Sequence, residues 1–161
     1  MTLVINASPL IVLSKAGLMD IVLNLATELV IPEPVALEIN RAKNPLDPAR
    51  TWIGNHACLV RTAMPNTPFL AAWDLGAGET SVIALAESLA GSIAVLDDLA
   101  ARRCAQALGL KVTGTLGIIL AAKQRKILPA VKPALDAVIA AGMFISPSHI
   151  HQVLASAGEA N

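Results

Sequence analysis

The sequence predicts an α/β domain built on a buried, mainly parallel sheet. Short, continuous apolar runs alternate with longer segments in which apolar residues recur at helical spacing. The runs do not alternate apolar with polar, as strands covered on both faces do not need to. The chain has 161 residues, 55% of them hydrophobic and 15% charged. That length suits one domain, and that composition suits a core of helices on both sides of a sheet.

Leu3-Val4-Ile5 reads as the first strand, stopping at Asn6. Ser8-Pro9 follows as a helix start, with Ser8 as N-cap and Pro9 at the first helical position, and Gly17 as its stop. Residues 18–26 read as a second helix, Glu28–Ile31 as a second strand, and Glu33-Pro34 as the start of a helix through Ile39. A loop over 44–48 precedes a short helix over 49–55, and Leu59-Val60 suggests a brief strand. Residues 64–78 hold two prolines, an asparagine and two glycines and read as irregular. A helix is expected over 79–89, a strand over 92–96, a helix over 100–108 closed by Gly109, and a strand over 110–113. Helices over 116–126 and 133–141, an edge strand at Phe144-Ile145 and a last helix capped by Ser146-Pro147 complete the chain. No repeat or linker divides it. The expectation is a single domain over 1–161, with 129–156 as a helical extension and 157–161 as a fraying tail.

Composition excludes several classes of function. Every apolar stretch is broken well before the roughly 18 residues of a membrane span, and the start Met1-Thr2-Leu3-Val4-Ile5-Asn6 lacks the basic segment of a signal peptide. The two cysteines, Cys58 and Cys104, have no metal-site spacing; both are expected to be small buried residues, and a reducing cytoplasm is the expected location. The first strand–helix turn has no glycines, which counts against a nicotinamide or flavin fold. A phosphatase with a strand-end aspartyl nucleophile fails on Asn6. Trp52, Phe69, Trp73 and Phe144 are the only aromatics, too few for the multi-aromatic sheet platforms of single-strand binders. His149-x-His151 falls on different helix faces and reads as surface.

Formal charge is zero overall but unevenly spread. Residues 1–98 carry ten acids and five bases; seven bases and no acid lie between 99 and 132. Such a split suits a site that holds a cation and guides a polyanion, although solvated helix faces give the same pattern.

Ligands of open parallel sheets bind beyond the carboxyl ends of the strands. Asn6 follows the first strand and the pair Asp97-Asp98 follows a later one. Asp98 also suits the N-cap of the helix behind it. Glu38 sits within an apolar helix and Glu79 beside a helix start; each alone reads as a surface glutamate. Converging carboxylates repel unless a cation holds them together. An oxygen-only ligand set favours Mg²⁺ or Mn²⁺, ions that assist phosphodiester hydrolysis.

Five blocks resemble the PIN-domain family, in order and over about residues 3–128. They are Val4-Ile5-Asn6-Ala7-Ser8-Pro9-Leu10; Ile31-Pro32-x-x-Val35-x-x-Glu38-Ile39; Leu75-Gly76-x-Gly78-Glu79; Leu96-Asp97-Asp98-x-x-Ala101-Arg102; and Gly114-Thr115-Leu116-Gly117. The chain looks most similar to a prokaryotic branch related to VapC-type ribonuclease toxins. The resemblance implies a three-layer α/β/α fold and Mg²⁺- or Mn²⁺-dependent ribonuclease chemistry. Onto the family's four acids fall Asn6, Glu38, Glu79 and Asp98, with Asp97 as an alternative ligand and Ser8 as the hydroxyl supporting the first position. Asn6 departs from the pattern, since an amide oxygen can ligate a metal but brings no charge and accepts no proton. Metal affinity and catalysis are therefore expected to fall relative to an aspartate.

Two functions follow. One is a metal-dependent endoribonuclease, the toxin of a small antitoxin protein, with Arg102, Arg103, Lys123 and Lys126 on RNA phosphates. The other is a PIN-like module without catalysis that binds nucleic acid or protein. A homodimer is expected, because so apolar a chain leaves greasy surface outside, with residues 18–26 and the helices after 116 as the candidate faces.

Overall fold

The computed structural model describes residues 1–41 and 44–160. Five strands form one sheet: β1 (Thr2–Ile5), β2 (Glu28–Pro32), β3 (Val60–Arg61), β4 (Ile93–Val95) and β5 (Lys111–Thr113). Their order is β3-β2-β1-β4-β5, and every pairing is parallel. Leu3, Val4 and Ile5 are all fully buried. Successive strand residues point to opposite faces, so both faces of the sheet are covered and the α/β/α layering follows.

The chain connects the strands through α1 (Ala7–Lys15), α2 (Met19–Leu25), α3 (Glu33–Asn40), α4 (Pro48–Asn55), α5 (Pro68–Ala71) and α6 (Ala77–Ser88). Beyond β4 come α7 (Leu99–Ala107), α8 (Thr115–Gln124), α9 (Lys132–Ala140) and α10 (Pro147–Ser156). Helix α6 packs on β1, β2 and β4, while α2 packs on α8 and α1 on α3, α4 and α8. One core cluster runs from Leu3 to Val153, so the C-terminal helices share it. No single helix among the described residues is long and apolar enough to cross a membrane.

The order of strands places a switch point between β1 and β4. From β1 the chain builds outward through β2 and β3 on one side, then returns to lay β4 and β5 on the other. Crevices at such points, outside the carboxyl ends, are where parallel sheets bind ligands.

Local chemistry explains most boundaries and several departures from expectation. Helix α1 begins at Ala7 with Asn6 as its N-cap residue, so Ser8 is an exposed second residue of the helix and caps nothing. The irregular stretch contains α5, capped by Thr67 Oγ1 accepting from Leu70 N at 3.3 Å, and α6 starts at Ala77, ahead of Glu79. Phe144-Ile145 forms no strand: Ile145 tucks into the core while Phe144 is 92% exposed. Cys104 is buried but Cys58 is exposed, in a 3₁₀ turn over Ala57–Leu59 whose Cys58 carbonyl accepts from Arg61 Nη1 at 2.7 Å. Within the expected tail, Glu159 is tied to the start of α9. Its carboxylate accepts from Val131 N at 2.8 and 3.0 Å and from Lys132 N at 3.1 Å, and pairs with Lys123 Nζ at 3.2 Å. These backbone bonds, first among them that to Val131, hold the Glu159 carboxyl below its ordinary range. Asn161 lies outside the described residues.

Candidate active site

The switch point brings Asn6, Glu38 and Glu79 together. Asn6 directly follows β1, and its backbone N–H bonds the Val95 carbonyl of β4 at 3.1 Å. An N-cap asparagine ordinarily turns its side chain onto its own helix. Here the side chain leaves α1 uncapped and reaches α6, where Nδ2 donates to Glu79 Oε1 at 3.3 Å. Asn6 is 3% exposed, and its Oδ1 is buried without any hydrogen-bond partner.

What faces that orphaned oxygen is a second acceptor. A Cβ placed on Gly78 would sit 3.0 Å from Asn6 Oδ1 and 2.8 Å from Glu38 Oε2, so both oxygens converge on the bare backbone of Gly78. Gly76 serves Glu79 in the same way, because a Cβ there would collide with Glu79 Oε2. Glycine at 76 and 78 therefore makes room for the two carboxylates, a role that sequence reasoning missed. The signal available was two glycines in alternate positions immediately before an acid. Glu38 is exposed as a residue, yet its carboxyl is turned inward. Burial, and then the neighbouring charge of Glu79, push the Glu38 carboxyl above the ordinary carboxylate range.

Asp97 and Asp98 stand at the end of β4 with bonds of their own. Asp98 Oδ1 accepts from Ala101 N at 2.9 Å and so caps α7. Asp97 accepts from Thr115 N at 2.8 Å and from Thr115 Oγ1 at 2.6 Å, one bond to each carboxylate oxygen. It thereby ties the end of β4 to the start of α8. Among the described residues no three His, Cys, Asp or Glu side chains are grouped within reach of one metal ion. The group that is assembled consists of two carboxylates and one amide oxygen.

That group fits a hard divalent cation. All its donors are oxygens, and Asn6 Oδ1 is a buried acceptor that nothing among the described residues satisfies. A proton on Glu38 or a cation would each satisfy it. Ser8 makes no hydrogen bond to Asn6, whose side chain turns to Glu79 instead.

The expected phosphate contacts are placed unequally. Arg103 and Lys126 are exposed. Arg102 is half-buried, with Nη1 donating to the Leu96 carbonyl at 3.0 Å. Lys123 is held by the Pro129 carbonyl at 2.6 Å and by Glu159.

A parallel sheet with two carboxylates and an amide gathered at its switch point defines an α/β domain with a candidate ligand site at that crevice. The DUF3368 family model, described as a PIN domain, matches residues 2–159. The chain belongs to the PIN-domain family. PIN domains are in general nucleases that depend on divalent metal and bind nucleic acid. No significant match is found among curated proteins or among solved structures.

Proposed function

We propose that this protein is a metal-dependent endoribonuclease, acting as the toxin of a toxin–antitoxin pair with a small antitoxin protein as its partner. The observation that carries the nuclease reading is the convergence of Asn6 Oδ1 and Glu38 Oε2 on Gly78, with Glu79 bonded to Asn6. In this reading Glu38, Glu79 and Asn6 would hold Mg²⁺ or Mn²⁺, and Asp98, which caps α7 and among the described residues is not grouped with the two glutamates, would complete the set only by moving toward them. When bound, such an ion would supply an activated water and would offset charge on the phosphate. Asn6 fixes the orientation of Glu79 through its amide N–H. Asp97, with both oxygens on Thr115, holds the end of β4 against the start of α8. Arg103 and Lys126, exposed in the acid-free span, position phosphates without reading sequence.

A second reading has its own observation. The amide of Asn6 occupies one Glu79 oxygen and brings no charge. A module that binds RNA or protein without cleaving would tolerate that loss of ligand charge. The deciding experiment is incubation of single-stranded RNA with Mn²⁺ and with EDTA, for the wild type and Asn6→Asp. Wild-type cleavage that EDTA abolishes is the expected result. Cleavage by Asn6→Asp alone establishes the second reading.

A further inference from the structure

A cleft of about 470 Å³ opens between the ends of β4 and β5 on one side and the α9–α10 loop on the other. Its lining includes Asp97, Leu99, Arg102, Gly114, Phe144 and His149. Parallel pairing makes β4 and β5 end at the same edge as β1. With neighbouring strands about 4.8 Å apart, the cleft lies one to two strand spacings along that edge from Asn6. Asp97 in its wall is followed directly by Asp98.

The chemistry of the walls is mixed. Phe144 is 92% exposed and Leu99 60% exposed, an aromatic ring and an aliphatic chain left bare together. Gly114 and Gly117 present backbone without side chains. Arg102 lines the same cleft, with its Nη1 close over the bare backbone of Gly114. One of its N–H groups is taken by the Leu96 carbonyl, and among the described residues it pairs with no carboxylate. Asp97 directs its charge into Thr115 rather than to Arg102. The volume is that of a small-molecule site, too small for a folded partner or a duplex. An open aromatic face beside a guanidinium with donors to spare is the equipment that captures an unstacked base.

We propose that this cleft is a nucleobase subsite: it takes one unstacked base of a single-stranded RNA, next to the phosphate at the acidic site, with Phe144 as its stacking surface and Arg102 hydrogen bonding its edge. The subsite rests on the nuclease reading for its substrate. It uses one aromatic on a loop rather than a sheet platform, which the four aromatics of the chain cannot build. The C-terminal extension thereby contributes a residue to substrate recognition.

The test is fluorescence anisotropy of a labelled single-stranded RNA on the full chain in EDTA, where no metal-dependent cleavage occurs. Phe144→Ala should weaken binding roughly ten- to hundredfold, the loss of one base–aromatic stack, and Phe144→Tyr should restore it. Phe144 is so exposed that its removal leaves the core untouched. An RNA with one abasic nucleotide, moved along the strand, should show one position at which wild type and Phe144→Ala bind alike. Equal affinity of Phe144→Ala and wild type overturns the subsite, even if the wild type cleaves RNA in Mn²⁺. Conversion of a dimer to a monomer by Phe144→Ala also overturns it, since the face is then an interface between copies. Phe144-dependent binding by a protein that never cleaves overturns the nuclease reading and leaves the subsite standing. A wild type that binds no RNA overturns both.

Discussion

Asn6 Nδ2 donates to Glu79 Oε1 at 3.3 Å, a bond that an aspartate in its place cannot make. Asn6→Asp exchanges that bond for a third negative charge beside Glu38 and Glu79. Without metal the variant should lose about 1–3 kcal/mol, the cost of a buried group left without its partner. With metal the sign should reverse, because a third carboxylate raises affinity for the ion. Thermal melts in EDTA and in millimolar Mn²⁺ read both effects, and a variant that melts higher than wild type in EDTA contradicts the geometry. For the wild type, an ion present at a hundred times its Kd adds about 2.7 kcal/mol, roughly 5–10 °C in Tm for a domain of this size. Glu79→Ala should fold and lose that response; no rise at millimolar Mn²⁺ in the wild type would sink the metal site. Gly78→Ala is the sharper probe. Its Cβ would enter the space that Glu38 Oε2 and Asn6 Oδ1 share, and the flexible Glu38 would swing outward. Stability in EDTA should change little, since Ala also favours the helix, while the response to Mn²⁺ disappears.

Helix ends show how elements are held and where the sequence stops being readable. Gly17 and Gly109 close α1 and α7, as their positions after apolar helical segments indicate. Lys126 closes α8 in the same left-handed conformation, at φ 59, with Ile127 N bonding the Ala122 carbonyl at 2.9 Å and Lys126 N the Lys123 carbonyl at 3.0 Å. A lysine there carries the Cβ strain that glycine avoids. Lys126→Gly should therefore stabilise the fold by up to about 1 kcal/mol, a Tm gain of roughly 2–4 °C, whatever it does to RNA affinity. The Glu159 clasp on α9 gives a pH dependence. Its carboxyl is held low, so its contribution is fully present above the unfolded value of about 4.3 and fades as pH falls through the lower folded value. Hydrogen exchange at the amides of Val131 and Lys132 should accelerate, relative to its intrinsic rate at each pH, below that range. Glu159→Gln should show the same acceleration at neutral pH; slow exchange in the variant would remove the clasp. The strands were legible because continuous apolar runs such as Leu3-Val4-Ile5 permit little else, and the Ser146 cap because it acts on the turn beside it. Illegible were bonds whose partners lie far along the chain: Asn6 to Glu79 and Glu159 to Val131. Local pattern also misassigned Ser8, because the helix start depends on where the Asn6 side chain goes.

At the scale of the whole molecule, the question is where the apolar surplus lies. A domain of this size buries only about 70% of its chain surface, and 55% of its residues are hydrophobic. The segment over 18–26, expected to be greasy and outside, is mostly covered: Met19, Ile21, Val22 and Leu25 are buried, and α2 packs on α8. The exposed apolar residues are elsewhere. Leu37 lies on α3, Leu46 just ahead of α4, Met64 and Phe69 between β3 and α6, and Leu99, Ile139 and Phe144 toward the C-terminal half. Charge follows a related division, with Arg103, Lys111, Arg125 and Lys126 all exposed in the span that has no acid. Two-fold dimers are the commonest way for a small protein to cover such surface. A dimer closed through the Leu37, Met64 and Phe69 side would leave both basic spans and both Phe144 clefts facing solvent, as RNA binding requires. Light scattering at tens of micromolar should then give twice the 16.7 kDa chain mass. Met64→Glu with Phe69→Glu should halve that mass while keeping RNA affinity. A wild-type mass near 16.7 kDa rejects the dimer and leaves that apolar side to an antitoxin. A double variant that stays dimeric but loses RNA affinity would place the RNA on the apolar side, and the basic span would then be only a solvated face.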